Sequence, residues 1–347
     1  MRVLIVKRDK LGDLLLTSPV LARLHAALPR AEIHLLANDY NAWVLEGCPA
    51  LARTWVYPRA RSGGRLRVGA LFAQFALQPA LRAQRFDWAF VMGGDESHRG
   101  IRRAIASGAR RVVAYAKDPA PYGPRLTDAL PPPREGHETK RMLRLLAPLA
   151  LPEDAIRFQP WFALPIDARQ SARGWLGAQA LREREYVVIG VGARRAKKQP
   201  TPEQIARWST RLYERHGLPT VFMWTPAATS RGDYPADDAL SQAVMARALP
   251  HVHPFCGPIR EAVALVHGAR TSVLPDSGLM HFAAASPGGV LGLFADPQDS
   301  APAARWAPIG PRARYVEAAR RVAELSDDEV FAALEPLLAG EETGAEP

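Results

Sequence analysis

Three groups of polar residues in this sequence have types and spacings suited to chemistry on an anionic substrate. The first is Asp13, which follows an apolar run at 3–6 and the basic letters KRDK. The second is Lys198, in the basic segment RRAKK. The third begins at Asp276 and continues through Ser-Gly to His281. A carboxylate that can accept a proton, and cations with free amides that can hold phosphate, are suited to a group-transfer reaction.

Asp13 lies at a strand-to-helix connection. The apolar run 3–6 predicts a buried strand, and the leucines after Asp13 recur on one helical face. Gly12 lets the backbone approach a ligand closely, and parallel sheets bind ligands at the carboxyl ends of their strands. An aspartate at this position is also a good helix cap. The residues alone therefore leave a ligand-facing role and a capping role open.

Lys198 precedes a helix with a strong start signal. Thr201 is a cap, Pro202 is at the first position, and Gln204 completes a capping box. Cationic side chains beside the free amides of a helix form an anion site. A solvated basic loop is the alternative interpretation.

The segment that starts at Asp276 follows a predicted short strand and opens an apolar helix. The amides of Ser277, Gly278 and the next residue are unsatisfied donors at a helix start, and such donors can cradle a diphosphate. The alternative is an Asp-Ser cap with His281 packed in the core.

Several standard signals are missing from the sequence. Gly190-Val191-Gly192 begins like a dinucleotide fingerprint, but Arg195 stands where the third glycine belongs, which disfavours a nicotinamide cofactor. Neither a Walker loop nor an Asp-x-Asp pair is present. His251 and His253 lie beside Pro254 and are interpreted as a loop rather than a metal pair. We therefore expect no metal and no cofactor.

Alternating strand and helix patterns predict an α/β fold with parallel sheets. The predicted strands are 2–7, 32–37, 53–57, 86–92, 111–115, 186–191, 220–224, 271–274 and 290–294. The predicted helices begin after Asp13 and cover 68–84, 97–107, 137–150, 170–181, a segment from 202, 261–266 and 326–338. The proline-rich segment 118–136 is expected to be an irregular loop.

The chain of 347 residues is long enough for two domains, and a proline-punctuated connector at 151–165 suggests the boundary. We predict an N-terminal domain at 1–160 and a C-terminal domain at 161–325. A last helix at 326–340 is expected to pack back on the N-terminal domain, and 341–347 to be a frayed tail. A cleft between two such domains is a common small-molecule site.

Composition limits the class of partner. The formal charge is +10 and arginines cluster along the chain, as suits an anionic partner or a solvated basic surface. The nearby aromatic residues Phe72, Phe75, Phe86 and Trp88 fit core patterns, so we expect no nucleic acid. Two distant cysteines, no long apolar run and no signal-peptide pattern predict a cytoplasmic protein.

Taken together, the motifs resemble glycosyltransferase family 9, the lipopolysaccharide heptosyltransferase family, over nearly the whole chain. The opening RVLIVKRDKLGDLLLTSPVLARL is similar to the family's N-terminal motif. FDWAF before Gly-Gly, HETKRMLRLLAPLAL, GARRAKKQPTPEQIARW and LPDSGLMHFAAASPGGVLGLFADP follow in the family's order. The order and spacing are more specific than any one of these segments.

The resemblance implies a GT-B fold, with two Rossmann-like domains whose parallel sheets face a central cleft. It implies an inverting, metal-independent glycosyltransferase that moves heptose from ADP-heptose to the lipopolysaccharide inner core. Asp13 would be the general base. The donor would be bound by Lys198, Asp276, the backbone of Ser277, Gly278 and Leu279, and His281. We assign acceptor binding to Lys7, Arg8, Lys10 and Arg61, and expect peripheral contact with the inner face of the inner membrane.

The sequence departs from the family pattern after the strand at 220–224. A glutamate that contacts the donor nucleoside is often found there, and here the nearest acid is Asp233. The same fold acting with another nucleotide sugar or on a protein acceptor is therefore one alternative. A second is a non-catalytic member that binds lipid or nucleic acid through its arginines.

Overall fold

The structure, a computed structural model, describes residues 1–8, 10–62, 65–152, 158–193, 195–226, 237–299 and 301–340. The side chains of Arg61, Ser62 and Arg65 are outside this description. The chain divides into two compact units, residues 1–163 and 164–347. The tail 341–347, Arg194 and Asp233 lie outside the described residues, so the expectations for them are not addressed.

The first unit is an α/β unit with one six-stranded sheet. Its strands are β1 (Arg2–Val6), β2 (Glu32–Asn38), β3 (Arg53–Tyr57), the hairpin strands β4 (Arg61–Ser62) and β5 (Arg65–Leu66), then β6 (Trp88–Val91), β7 (Arg111–Tyr115) and β8 (Asp128–Leu130). Its helices are α1 (Leu11–Leu15), α2 (Ser18–Ala27), α3 (Val68–Ala83), α4 (His98–Ala106) and α5 (Glu138–Arg144).

The second unit repeats this architecture. Its strands are β9 (Val187–Gly190), β10 (Thr220–Met223), β11 (Val252–Phe255), β12 (Thr271–Pro275), β13 (Val290–Ala295) and β14 (Ala313–Ala318). Its helices are α6 (Ile166–Ala178), α7 (Pro202–His216), α8 (Asp238–Met245), α9 (Ile259–Gly268), α10 (Gly278–Ala284), α11 (Ala303–Trp306) and α12 (Asp327–Ala339).

The two large sheets have the same topology. Their strand orders are β3-β2-β1-β6-β7-β8 and β11-β10-β9-β12-β13-β14, and every neighbouring pair is parallel. Each order therefore reverses beside the first strand of its unit, between β1 and β6 and between β9 and β12. Such a reversal opens a crevice at the carboxyl ends of the strands.

Burial explains why these segments form strands. Val3, Leu4, Ile5 and Val6 are essentially inaccessible, as are Val187, Val188 and Ile189. Helices on both faces of a parallel sheet require such continuous apolar runs. The predicted capping box at Thr201 and Gln204 is confirmed, with donor–acceptor distances of 3.0 and 3.2 Å.

The last helix belongs with the second unit. Ser326 caps α12, and its apolar residues Val330, Phe331, Leu334 and Leu337 join the core beside β13 and β14. Its buried face is filled by side chains of its own unit. The expectation that the helix also packs on the first domain stays a prediction.

The structure corrects several sequence-based interpretations. The segment 118–136 contains β8, the edge strand of the first sheet, and His253 lies in β11 rather than in a loop. The strand β14 and the helix α8 were not predicted. The strands β4 and β5, which were not predicted, pair as a short antiparallel hairpin. Phe86 is buried as expected, but Phe72 and Phe75 on α3 are exposed.

Among the described residues, no helix combines the length and the apolar character needed to span a bilayer.

Candidate active site

Most of the residues singled out from the sequence follow the strands at which the strand order of each sheet reverses. In the first unit, Lys7 follows β1 and Gly93-Gly94 follows β6. In the second unit, the segment that holds Lys198 follows β9, and Asp276 follows β12. The topology therefore places the first group together in the crevice of one unit and the second group together in that of the other.

Asp13 lies inside the first turn of α1 and not before it, since the helix begins at Leu11. Its carboxylate Oδ2 accepts a hydrogen bond from the Lys10 backbone N–H at 3.1 Å. The capping role is thus present, through the backbone just before the helix. The side chain of Asp13 is half-buried, so it retains access to solvent at the carboxyl end of β1.

Behind Asp13 the crevice of the first unit contains a buried lysine. Lys7 is 1% exposed, and its Nζ lies 3.8 Å from Met142 Sδ on α5. Thr17 Oγ1 donates to the backbone oxygen of Asp13 at 3.1 Å and lies 3.6 Å from the same sulfur. Lys7 is therefore enclosed by protein, and its ammonium lies against the same sulfur atom as the Thr17 hydroxyl. Its assignment to acceptor binding stays a prediction.

The start of α5 closes this crevice with a buried polar network that the sequence did not reveal. Gly94 N–H donates to Glu138 Oε1 at 2.6 Å. Arg141 donates to the backbone oxygens of Gly136 and Arg134 at 2.9 and 2.8 Å. Both charged side chains are buried. The amphipathic pattern of 137–150 indicated a helix, but a pattern of this kind does not show that its charged residues face inward.

The other predicted acceptor residues have different positions. Arg8 and Lys10 are half-buried in the connection between β1 and α1, and the Arg8 backbone oxygen accepts from Asn38 Nδ2 at 2.9 Å. Arg61 lies in the β4–β5 hairpin, and its side chain is outside the described part.

In the second unit the structure brings Lys198 and Asp276 together. Lys198 is 3% exposed, and its Nζ donates to Asp276 Oδ2 at 2.7 Å and to the Ala301 backbone oxygen at 2.9 Å. The ammonium also lies 5.9 Å from the ring centre of Phe294. A buried, oriented ammonium of this kind is suited to holding a phosphate charge. It is not the side chain of a solvated loop.

A second ion-pair network flanks this lysine. Lys197 Nζ lies 2.7 Å from Asp296 Oδ2 and 3.2 Å from Asp299 Oδ2, and Arg195 also pairs with Asp299. These contacts tie the connection after β9 to the connection after β13. The basic segment is thereby held in place beside the crevice.

Around α10, the predicted donor residues lie at the end of β12. Ser277 is the residue before the helix and has extended backbone angles, and Ser277, Gly278 and Leu279 are half-buried. His281 is buried within the helix. The amides of the first turn therefore start next to Asp276, as the sequence predicted.

A further acid at this crevice was missed. Asp237 is buried, and its carboxylate accepts from Gln199 Nε2 at 2.6 Å and from the Thr225 backbone N–H at 3.2 Å. Burial raises the pKa of Asp237 above its ordinary value. The residue lies 13 positions beyond Trp224, so spacing alone did not connect it with the end of β10.

Within the described ranges, no group of three or more histidine, cysteine, aspartate or glutamate residues is arranged to hold a metal ion.

Comparison with known proteins now identifies the family. The model of glycosyltransferase family 9 (heptosyltransferase) matches residues 74–331, which is more than half of the chain. This chain belongs to glycosyltransferase family 9. The family membership inferred from the motifs is thus confirmed. None of the curated proteins compared with the chain matches it.

Solved structures agree with the fold. A family 9 glycosyltransferase from Veillonella parvula is 17% identical, with 97% of each chain covered and a TM-score of 0.79. ADP-heptose lipopolysaccharide heptosyltransferase II of E. coli is 19% identical over 98% of this chain and 99% of that one, with a TM-score of 0.73. E. coli heptosyltransferase WaaC with ADP is 18% identical over 97% and 100%, with a TM-score of 0.71. The predicted GT-B fold class of two Rossmann-like domains is confirmed.

Proposed function

We propose that this family 9 member is an inverting, metal-independent glycosyltransferase that moves a heptose from ADP-heptose to the lipopolysaccharide inner core. The observation that carries the proposal is the buried Lys198 ammonium, held 2.7 Å from Asp276 at the strand-order reversal of the second unit. The similar E. coli proteins are a heptosyltransferase solved with ADP and an ADP-heptose heptosyltransferase. We infer that the enzyme works in the cytoplasm, at the inner face of the inner membrane.

Lys198 and the amides of Ser277, Gly278 and Leu279 are proposed to hold the diphosphate. As the bond to the sugar breaks, negative charge grows on the leaving nucleoside diphosphate. A fixed ammonium and oriented N–H groups stabilise that charge without reorganising. Asp276 and His281 complete the donor site in this proposal, with Asp276 fixing the lysine before the donor arrives.

Asp13 is the proposed general base. Its carboxylate takes the proton of the acceptor hydroxyl while that oxygen attacks the anomeric carbon and the bond to the diphosphate breaks. One displacement of this kind inverts the anomeric configuration. A carboxylate is a weak base, so the proton moves late, as the new bond forms.

Calorimetric titration with ADP, UDP and GDP in the absence of metal tests the donor site. We expect selective ADP binding that weakens about 100-fold in Lys198→Ala, because a charged hydrogen bond is lost. The matched control is Lys197→Ala, whose ammonium pairs with Asp296 and Asp299 instead. Its ADP affinity should change less than about threefold.

Each other outcome has a distinct meaning. Selective binding of UDP or GDP would agree with the proposed transfer reaction but would mean that the donor is a different nucleotide sugar. The absence of the family glutamate after β10 is compatible with that outcome. Failure of all three nucleotides to bind would refute the donor-site assignment and favour a non-catalytic binding protein.

A further inference from the structure

Helix α3 of the first unit exposes a continuous apolar stripe. Phe72 and Phe75 are 70% and 73% exposed, and Val68 just before them is 57% exposed. With Pro79 these residues recur at spacings of four, three and four, which place them on one face of the helix. Clustered exposed apolar side chains of this size mark an interaction surface.

The opposite face of α3 fixes the rotation of the helix. Leu81 is buried in the core of the first unit, and Leu77 packs against it. Gln74 donates to the Pro58 backbone oxygen at 2.6 Å and accepts from Arg103 at 2.7 Å. Since these contacts hold the inner side in place, the two phenylalanines are held outward.

The charged residues of the segment that carries the stripe are all arginines. The segment 58–85 contains no aspartate or glutamate, and its six arginines stand at 59, 61, 65, 67, 82 and 85. Four precede the helix in sequence and two lie at its end, so the segment carries positive charge before and after the apolar stripe. Asp39, from outside the segment, pairs with Arg59 at 2.8 Å and with Arg67 at 3.2 Å.

This pattern fits an anionic lipid surface. A helix lying in the interface buries its apolar face among the acyl chains while arginines meet the phosphates, each worth roughly 1 kcal/mol near such a surface. A symmetric dimer through the same face would instead bring like charges of two copies together. Charge complementarity therefore favours lipid over a second copy.

We propose that the outer face of α3, formed by Val68, Phe72, Phe75 and Pro79, docks in the plane of an anionic bilayer. The docking surface contains none of the proposed donor and base residues and requires neither nucleotide nor glycan. This role rests on the proposed function, in which the acceptor is lipid-linked, and the surface would hold the first unit where that acceptor is presented.

Vesicle sedimentation of the full chain tests this proposal. The vesicles are phosphatidylcholine with 30% phosphatidylglycerol, compared with phosphatidylcholine alone, at about 50 and 500 mM salt. We expect wild type to prefer the anionic vesicles at low salt and to dissociate at high salt, because salt screens charge. The double variant Phe72→Ser with Phe75→Ser should lose at least about tenfold in vesicle affinity.

The matched control is Ile166→Ser, which replaces a side chain 77% exposed on α6 of the second unit. It should bind vesicles like wild type. Thermal unfolding of all variants should be unchanged, because the replaced side chains do not belong to a core.

Equal vesicle binding by the double variant and wild type would overturn the proposal. Equal binding of wild type to neutral and anionic vesicles would also overturn the proposal. Loss of a wild-type dimer in the double variant, seen by sedimentation velocity, without loss of vesicle binding would assign the face to a second copy. Titration of the same variants with ADP measures whether the proposed donor site is intact. Failure of the docking proposal can then be distinguished from failure of the proposed transfer reaction.

Discussion

The two units of this protein share one topology but place their charged groups differently at the strand-order reversal. In the first unit Lys7 is enclosed by Met142 and Gly93, and the half-buried carboxylate of Asp13 lies at the crevice. In the second unit Lys198 is ion-paired with Asp276 next to the first turn of α10. The same backbone frame thus offers a carboxylate in one unit and an ammonium with amides in the other.

In the proposed reaction this difference gives the two units two different roles. A base needs a carboxylate with access to the acceptor, whereas a leaving diphosphate needs fixed positive charge. We therefore expect variants of the first unit to affect turnover and variants of the second unit to affect nucleotide binding.

The largest effect is expected for Asp13→Asn. Without a base, kcat for transfer from ADP-heptose should fall about 10²–10⁴-fold while ADP affinity stays within about twofold. Steady-state kinetics and calorimetry measure the two quantities. Asp167→Asn, on the exposed side of α6, is the control and should match wild type in both. Turnover of Asp13→Asn close to that of wild type would contradict the assignment of the general base to the first unit.

A second comparison sets the two buried lysines against each other as methionine variants of similar shape. Lys198→Met should weaken ADP binding about 50-fold, because the ammonium proposed to hold the diphosphate is lost. Lys7→Met should leave ADP binding within about twofold. Calorimetry decides between them, and equal losses in both variants would contradict a division of roles between the units.

Gly94→Ala tests the packing of the first crevice. A methyl group there would lie 2.7 Å from Arg141 Cδ and even closer to the Glu138 carboxylate. Overpacking should cost about 2 kcal/mol of unfolding free energy in urea denaturation. Gly93→Ala is the neighbouring control, since its nearest atoms are 3.8 and 3.9 Å away. Equal unfolding free energies of the two variants would mean that the Glu138 and Arg141 side chains move away from the added methyl group at little energetic cost.

The smallest effect concerns α12 of the second unit. The hydrogen bond from Arg207 lowers the pKa of Asp327, which also accepts from Trp208 Nε1 at 2.8 Å. Asp327→Asn should lower the unfolding free energy by about 1 kcal/mol at pH 7. A lowered pKa stabilises the fold above the unfolded value near 3.9, and this contribution disappears as pH falls through the folded value.

Urea denaturation at several pH values measures this difference between wild type and Asp327→Asn, which should shrink below about pH 4. The control is Asp328→Asn, whose side chain is 93% exposed and should contribute little at any pH. A difference that persists unchanged at low pH would show that the charge of Asp327 is unimportant.

Much of the fold could be predicted because buried parallel strands have continuous apolar runs. β1, β7 and β9 follow such runs closely, and the caps at Thr201 and Ser326 are local signals. The edge strand β8 was missed, since its three residues are only partly buried and lie among prolines. No periodicity marks a strand of that kind.

Residues of the candidate site were predicted only where they belong to a recognisable sequence motif. Asp276 and Lys198 stand out in sequence, but their 2.7 Å ion pair joins residues 78 positions apart. Asp237, Glu138 and Arg141 carry no local signal, because their burial depends on neighbouring strands and helices. The aromatic residues on α3 were misread, since an apolar helix does not indicate which of its faces is covered.

The most direct test of the proposed division of roles between the two units is hydrogen–deuterium exchange with and without ADP. We predict slower exchange in 190–199 and 276–281 of the second unit, and no change in 7–17 and 93–95 of the first. Protection confined to the first-unit segments would contradict a nucleotide site at Lys198 and reverse the proposed roles.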